Sequence, residues 1–231
     1  HDALPIWSNL EDLKKLGCRQ VHWLPFAYCP PVHFFQLPST EEEAAFAKWD
    51  AVFFGGADTD RLPFIDALLD AGLNVRLFGG YWDRFPKFQR YSGGIVGLET
   101  LRKAVAATKL CLNLTRHDNR DGHVMRSFEG PAMRGCMLME DTAEHRFFFS
   151  DGLPYFRTPD ELAQVAKHLV EDAIQRDVYR EFAHQIVTTG GHTYADRLMK
   201  ILDTVLPNWK FTARAQALIN TERSRGQHGY I

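Results

Sequence analysis

Apolar residues in this chain fall into short unbroken runs, separated by segments whose apolar positions recur at helical spacing. Residues 51–54 (AVFF) form such a run and end at Gly55-Gly56; residues 74–78 (NVRLF) are the next strand candidate and end at Gly79-Gly80. Further strands are predicted at residues 109–114 and 136–139, with a short one at 20–24. Between them, residues 60–71 place Leu62, Ile65, Leu68 and Leu69 on one helical face, with Gly72 as the stop. Residues 97–107 repeat the pattern with Leu98, Leu101 and Val105, and a short helix beginning near Ser127 is predicted within 123–134, since Pro131 removes a backbone donor. Strands alternating with helices of about ten residues predict an α/β fold, a parallel sheet with helices on both faces.

The ends of the chain carry their own signals. Ser8 and Glu11 are spaced as a capping box for a first helix that Gly17 ends. Pro25, Pro30, Pro31 and Pro38 then mark an ordered linker. Near the other end, Thr158, Pro159 and Glu161 open a helix to about residue 175, followed by helices at 177–188 and 193–206 split by Gly190-Gly191. Leu162, Val165 and Leu169, then Leu198, Ile201, Leu202 and Val205, read as core stripes, as do Phe147, Phe148 and Phe149.

Composition narrows the functional classes. The 231 residues carry a net charge of −2, with 45% apolar and 24% charged residues, values of an ordinary globular chain. The near-neutral balance argues against broad nucleic-acid or membrane-surface binding, and no apolar run is long enough for a transmembrane segment. Cys18, Cys29, Cys111 and Cys136 form no C-x-x-C pair and read as free thiols of a reducing, cytoplasmic compartment. The first residue is His1, without a secretory signal, so the chain is expected to begin in the middle of something larger.

In an open α/β sheet ligands bind beyond the carboxyl ends of the strands. That rule selects Gly55-Gly56, the stretch Gly79, Gly80, Tyr81 and Trp82, the segment from Asn113 to Arg116, and the loop leading to Glu129. The fingerprint G-x-G-x-x-G is absent, which argues against a dinucleotide site. The densest stretch sets Arg116, His117, Arg120, His123 and Arg126 among Asp118, Asp121 and Glu129. A basic cluster beside free helix N–H groups suits a pyrophosphate, and a carboxylate one turn into the helix suits the two hydroxyls of a ribose.

Here the sequence resembles a family. Asp121-Gly122-His123 followed by Glu129 has the spacing of the E-x₇-E motif of GT-B glycosyltransferases, with Asp in the first place. The longer string, from Asn113 through Arg116, Arg126, Ser127, Phe128 and Glu129 to Pro131 and Gly135, is similar to the CgeB/YkvP-type glycosyltransferase group. The resemblance covers about residues 20 to 205. It implies a Rossmann-like domain, the C-terminal half of a GT-B fold, that binds a nucleotide-sugar donor and transfers its sugar to an acceptor, whether saccharide, protein or small molecule. By that resemblance Glu129 binds the ribose, and Arg126, Ser127 and neighbouring backbone hold the diphosphate. Asp121 and His123 face the sugar, Gly79 to Trp82 border the base, Gly55 and Gly56 approach the phosphates, and Arg61 is a candidate for the leaving phosphate. It implies no cofactor and no metal. It also implies that residues 1–45 are the end of a missing N-terminal domain plus a Pro-rich linker, with residues 46–206 the main domain and 207–231 a C-terminal tail.

Two other classes are weighed. Asp58-Thr59-Asp60 matches the D-x-D by which metal-dependent transferases hold Mg²⁺ or Mn²⁺, but Asp58 or Thr59 is favoured as the cap of the next helix. A non-catalytic nucleotide-binding module is the other.

Overall fold

The computed structural model describes residues 6–119, 121–206 and 220–221. Arg120 and most of the 207–231 tail lie outside the described residues. Among those described, six parallel strands form one sheet: β1 (Ala51–Phe54), β2 (Val75–Phe78), β3 (Ser92–Gly94), β4 (Leu110–Asn113), β5 (Met137–Glu140) and β6 (Tyr155–Phe156). Their order is β3-β2-β1-β4-β5-β6. The chain leaves β1 toward one edge and returns at β4 to build the other. The gap between the carboxyl ends of β1 and β4 is therefore the topological switch point.

Alternate side chains of the central strands feed two cores. Ala51, Phe53, Leu77, Leu110, Leu112 and Leu138 pack against α3 (Leu62–Asp70) and α7 (Pro159–Glu171). Val52, Phe54, Phe78, Cys111, Met137 and Met139 pack against α4 (Leu98–Ala107), α5 (Arg126–Ala132) and α8 (Ala173–Thr189). Strands buried on both faces explain why their sequences are uninterrupted apolar runs. The α/β class and the two-sided helical cover are those expected from the sequence pattern.

Several local readings change. The helix preceding β1, α2 (Thr40–Phe46), is opened by a capping box of Ser39 and Glu42 that the sequence reading passed over. The first helix, α1 (Trp7–Lys15), starts one residue before Ser8, whose hydroxyl bonds Asp121 instead of capping. Residues 20–24 are not a strand. The helix expected to reach residue 175 stops at Glu171, because the Asp172 side chain accepts from Gln175 N–H (2.9 Å) and opens α8 early. A short helix, α6 (Ala143–Phe149), carries the three phenylalanines; Phe149 is core, but Phe147 is 59% exposed and packs on Trp7 and Trp23.

The helix α9 (Tyr194–Val205) differs most from expectation. Its stripe is not core: Leu198, Ile201 and Val205 are exposed among the described residues. α9 is held instead by polar contacts. Arg197 donates to Pro25 O (2.9 Å) and Phe26 O (3.0 Å), and Tyr28 pairs with Thr193 in an isolated parallel bridge. These contacts order the Pro-rich linker along the domain.

Candidate functional site

A cleft of about 410 Å³ opens at the switch point. Gly55 and Gly56 line it from β1, Arg61 from the turn before α3, Arg116 and Asn119 from the loop after β4, and Val124, Met125, Arg126 and Glu129 from the start of α5. Phe26 of the linker and Phe54 complete the wall.

Two arginines dominate its charge. Arg61 is 5% exposed and donates from Nη1 to Gly56 O (2.7 Å). Arg126 donates from Nη1 to Phe54 O (3.2 Å) and from Nη2 to Leu114 O (2.7 Å). The Nε–H of each is buried with no hydrogen-bond partner among the described residues. Both guanidinium groups lie over the Phe53 ring, at 5.2 Å and 4.8 Å from its centre. Burial, and secondarily neighbouring positive charge, pushes Arg61 down to about 10 and Arg126 to about 9, so both stay charged at neutral pH. Positive charge concentrated here without a hydrogen-bonded carboxylate suits a multiply charged anion. Arg116, at the rim, pairs with Asp58 Oδ2 at 3.1 Å.

Glu129 supplies the opposite charge. Its side chain is 19% exposed, and burial raises its pKa above the ordinary carboxylate value, with Arg126 acting against the shift. Glu129 lies one turn into α5 and faces the cleft, not packed hydrocarbon. The first N–H groups of α5 are not free as expected. Those of Ser127, Phe128 and Glu129 bond to Val124 O and Met125 O at 3.0 Å. The positive charge that faces the cleft is therefore that of the arginine side chains.

Several expected site residues lie elsewhere. Asn113 is buried; its Nδ2 contacts Ser127 Oγ (3.0 Å) and His145 Nε2 (3.2 Å). Ser127 Oγ in turn meets His145 Nε2 at 2.8 Å and accepts from Val124 N–H at 3.2 Å. Asn113 and Ser127 thus brace the start of α5 from behind. Phe128 is fully buried core. His123 is also fully buried: Nε2 accepts from Phe26 N–H (2.9 Å) and Nδ1 bonds Glu144, so neither nitrogen reaches a sugar. Asp121 is turned toward Ser8 and away from the cleft lining.

The second Gly-Gly turn is also structural. A Cβ on Gly79, whose φ is +127°, would stand 2.4 Å from Gly55 O. Only glycine lets the two loops touch. Gly80 O accepts from Ala57 N–H (2.9 Å). Trp82 is 1% exposed and donates from its indole to Gly55 O at 3.1 Å, so it props the first loop and cannot stack on a base. Tyr81 alone of this stretch presents its ring outward, 55% exposed in a left-handed conformation, beside Gly56.

Asp58 caps the turn at Thr59–Arg61 through Asp60 N–H (3.2 Å), the role favoured over metal binding. Among the described residues no group of three or more His, Cys, Asp or Glu side chains is placed to hold a metal ion. No described helix is long and apolar enough to cross a membrane. The sequence reading missed Asn119 and Phe26 in the cleft, and His33, whose Nε2 lies 3.7 Å from Glu129 Oε1. The nearby dense run of charges pointed to Asn119, and Phe26 stands in the linker string Leu24-Pro25-Phe26-Ala27 that shares the family resemblance; nothing local marked His33.

Residues 61–203, more than half of the chain, match the model of a family described as glycosyl transferase-like. No curated protein sequence matches. Solved structures with similar folds include a point mutant of T4 phage BGT in complex with UDP-glucose (TM-score 0.61, 16% identity, 85% of this chain and 60% of that one). Sucrose-phosphate synthase from Thermosynechococcus elongatus is another (TM-score 0.67, 13% identity, 88% and 58%). Anabaena Alr3699/HepE in complex with UDP is a third (TM-score 0.63, 13% identity, 87% and 62%). The chain thus spans about 60% of the length of these proteins, and its fold is that of the Rossmann-like half of a GT-B glycosyltransferase. By the family match over its central and C-terminal elements, the chain belongs to the glycosyl transferase-like family.

Proposed function

We propose that this chain is the donor-binding half of a glycosyltransferase that takes a sugar from a nucleotide diphosphate sugar. The observation that carries this is that buried Arg61, half-buried Arg126 and Glu129 line one cleft at the switch point. Arg61 and Arg126 hold the diphosphate, with Arg116 at its open side. Glu129 accepts from the ribose hydroxyls. Gly55 and Gly56 let the backbone come close, and Tyr81 borders the base.

Breaking the bond between sugar and diphosphate leaves negative charge on the leaving phosphate. Fixed guanidinium groups in the cleft stabilise that charge as it develops, without having to reorganise. The acceptor, a saccharide, protein or small molecule, is brought by a further domain; the solved structures of this fold are longer than this chain. Closer kinship with the CgeB/YkvP-type group rests on the string from Asn113 to Gly135, and a reducing cytoplasmic setting on four free thiols.

One observation favours the second reading, a module that binds a nucleotide without turnover. The expected catalytic pair, Asp121 and His123, lies outside the cleft. Calorimetric titration with UDP, GDP, ADP and TDP tests the donor reading. Binding of one nucleoside diphosphate, weakened by Arg126→Ala, is expected; no binding by any of the four overturns it. Transfer of sugar to added acceptors by the chain joined to an acceptor-binding domain separates enzyme from module.

A further inference from the structure

His33 lies in the Pro-rich linker, far in sequence from the cleft, yet its ring is held against it. The peptide of Cys29 grips it twice. Cys29 O accepts from His33 N–H (2.7 Å), and Cys29 N–H donates to His33 Nδ1 (3.1 Å). Arg102 of α4 fixes the same turn by donating to Val32 O at 3.0 Å. The His33 side chain is 11% exposed, and its Nε2 faces Glu129 Oε1 at 3.7 Å.

The proton inventory of the ring follows from these contacts. Burial, reinforced by the charge of Arg102, pushes His33 down to about 4, so the ring is neutral at pH 7. Its Nδ1 is an acceptor, and a neutral imidazole carries one proton, so that proton is on Nε2. The nitrogen that carries the proton therefore stands 3.7 Å from one carboxylate oxygen of Glu129. The gap is about half an ångström beyond hydrogen-bond range, the kind that closes when a ligand enters.

We propose that His33 is a positioning residue for Glu129: its Nε2–H holds Oε1 and leaves the other carboxylate oxygen to receive the vicinal diol of a ribose. The inference rests on the donor reading above and assigns the linker a part in it. A neutral donor does this without cancelling the negative charge that the diol needs. The linker thereby couples the order of residues 25–33 to the choice of ribose.

The test compares affinity for UDP and 2′-deoxy-UDP in the wild type, His33→Asn and His33→Gln. Asn keeps an acceptor for Cys29 N–H but lacks the distal donor; Gln places an amide donor near Nε2 but loses the acceptor. The wild type is expected to prefer UDP by about tenfold or more, the scale of one hydrogen bond to a charged group. His33→Asn is expected to lose most of that preference with little change in 2′-deoxy-UDP binding, and His33→Gln to keep it. A merely structural His33 gives the reverse order, which overturns the inference, as does an unchanged preference in His33→Asn. A wild type that binds UDP and 2′-deoxy-UDP equally overturns the ribose role of Glu129 and this inference with it, while diphosphate binding stands; a wild type that binds none of UDP, GDP, ADP and TDP overturns the donor reading itself.

Discussion

Arg61 and Arg126 share one aromatic ring, Phe53, and stand over it as two like charges inside the same cleft. Each spends part of its guanidinium on backbone oxygens of the loop glycine or strand ends, and each keeps a buried Nε–H without a partner among the described residues. Such an arrangement stores electrostatic repulsion that a bound polyanion relieves.

Arg126→Ala is expected to weaken a nucleoside diphosphate by about 1.5–3 kcal/mol, the range for hydrogen bonds to charged groups, and the matching nucleoside much less. Calorimetry with UDP and uridine reads the difference. Equal losses for both would show that Arg126 does not contact phosphate.

Trp82→Phe separates a prop from a base platform. The indole N–H to Gly55 O is lost, at a cost of roughly 1 kcal/mol of stability. Nucleotide affinity is expected to move no more than about twofold, since the ring stays buried. A loss of tenfold or more in affinity with unchanged stability would return Trp82 to the site.

Gly79→Ala is expected to be among the most damaging single changes. The new methyl meets Gly55 O at 2.4 Å while the backbone stays at φ +127°. Strain and clash together predict roughly 2–4 kcal/mol of lost stability, read from urea unfolding. An unfolding midpoint equal to that of the wild type contradicts the close approach of the two loops.

His145 sets a pH dependence. It is fully buried, donates from Nδ1 to Glu140 O at 2.7 Å, and burial pushes its pKa down to about 4. The unfolded chain binds this proton first, so the stabilisation is present above about pH 6.5 and is lost as pH falls toward 4, on the order of 3 kcal/mol. Glu129, raised by burial, works in the opposite direction. Nuclear magnetic resonance titration is expected to show His145 still neutral at pH 5; a protonated ring there would contradict its buried neutral state.

The sheet was legible because its central strands are buried on both faces and so have nothing to hide in their apolar runs. The start of α7 was legible because Thr158, Pro159 and Glu161 each satisfy a separate demand of a helix end. β3 and β6, three and two residues long, are too short to show any period. Arg126 and Glu129 stood out through the dense run of charges after β4, whereas Arg61 was named only on the family resemblance. His123, Asn113 and Ser127 share that density yet turn inward, because burial follows from tertiary packing and not from residue type. Trp82 and Tyr81 are neighbours in sequence with opposite fates, which no local pattern distinguishes. The Leu198 stripe shows the converse, helical spacing without burial.

Arg197 and the Tyr28–Thr193 bridge tie the linker at the beginning of the fold to α9. A protease cut near the exposed Leu37 would therefore leave two pieces that stay together in native buffer and part only when denatured. The covalent chain between linker and β1 is in this sense dispensable for holding His33 at its post.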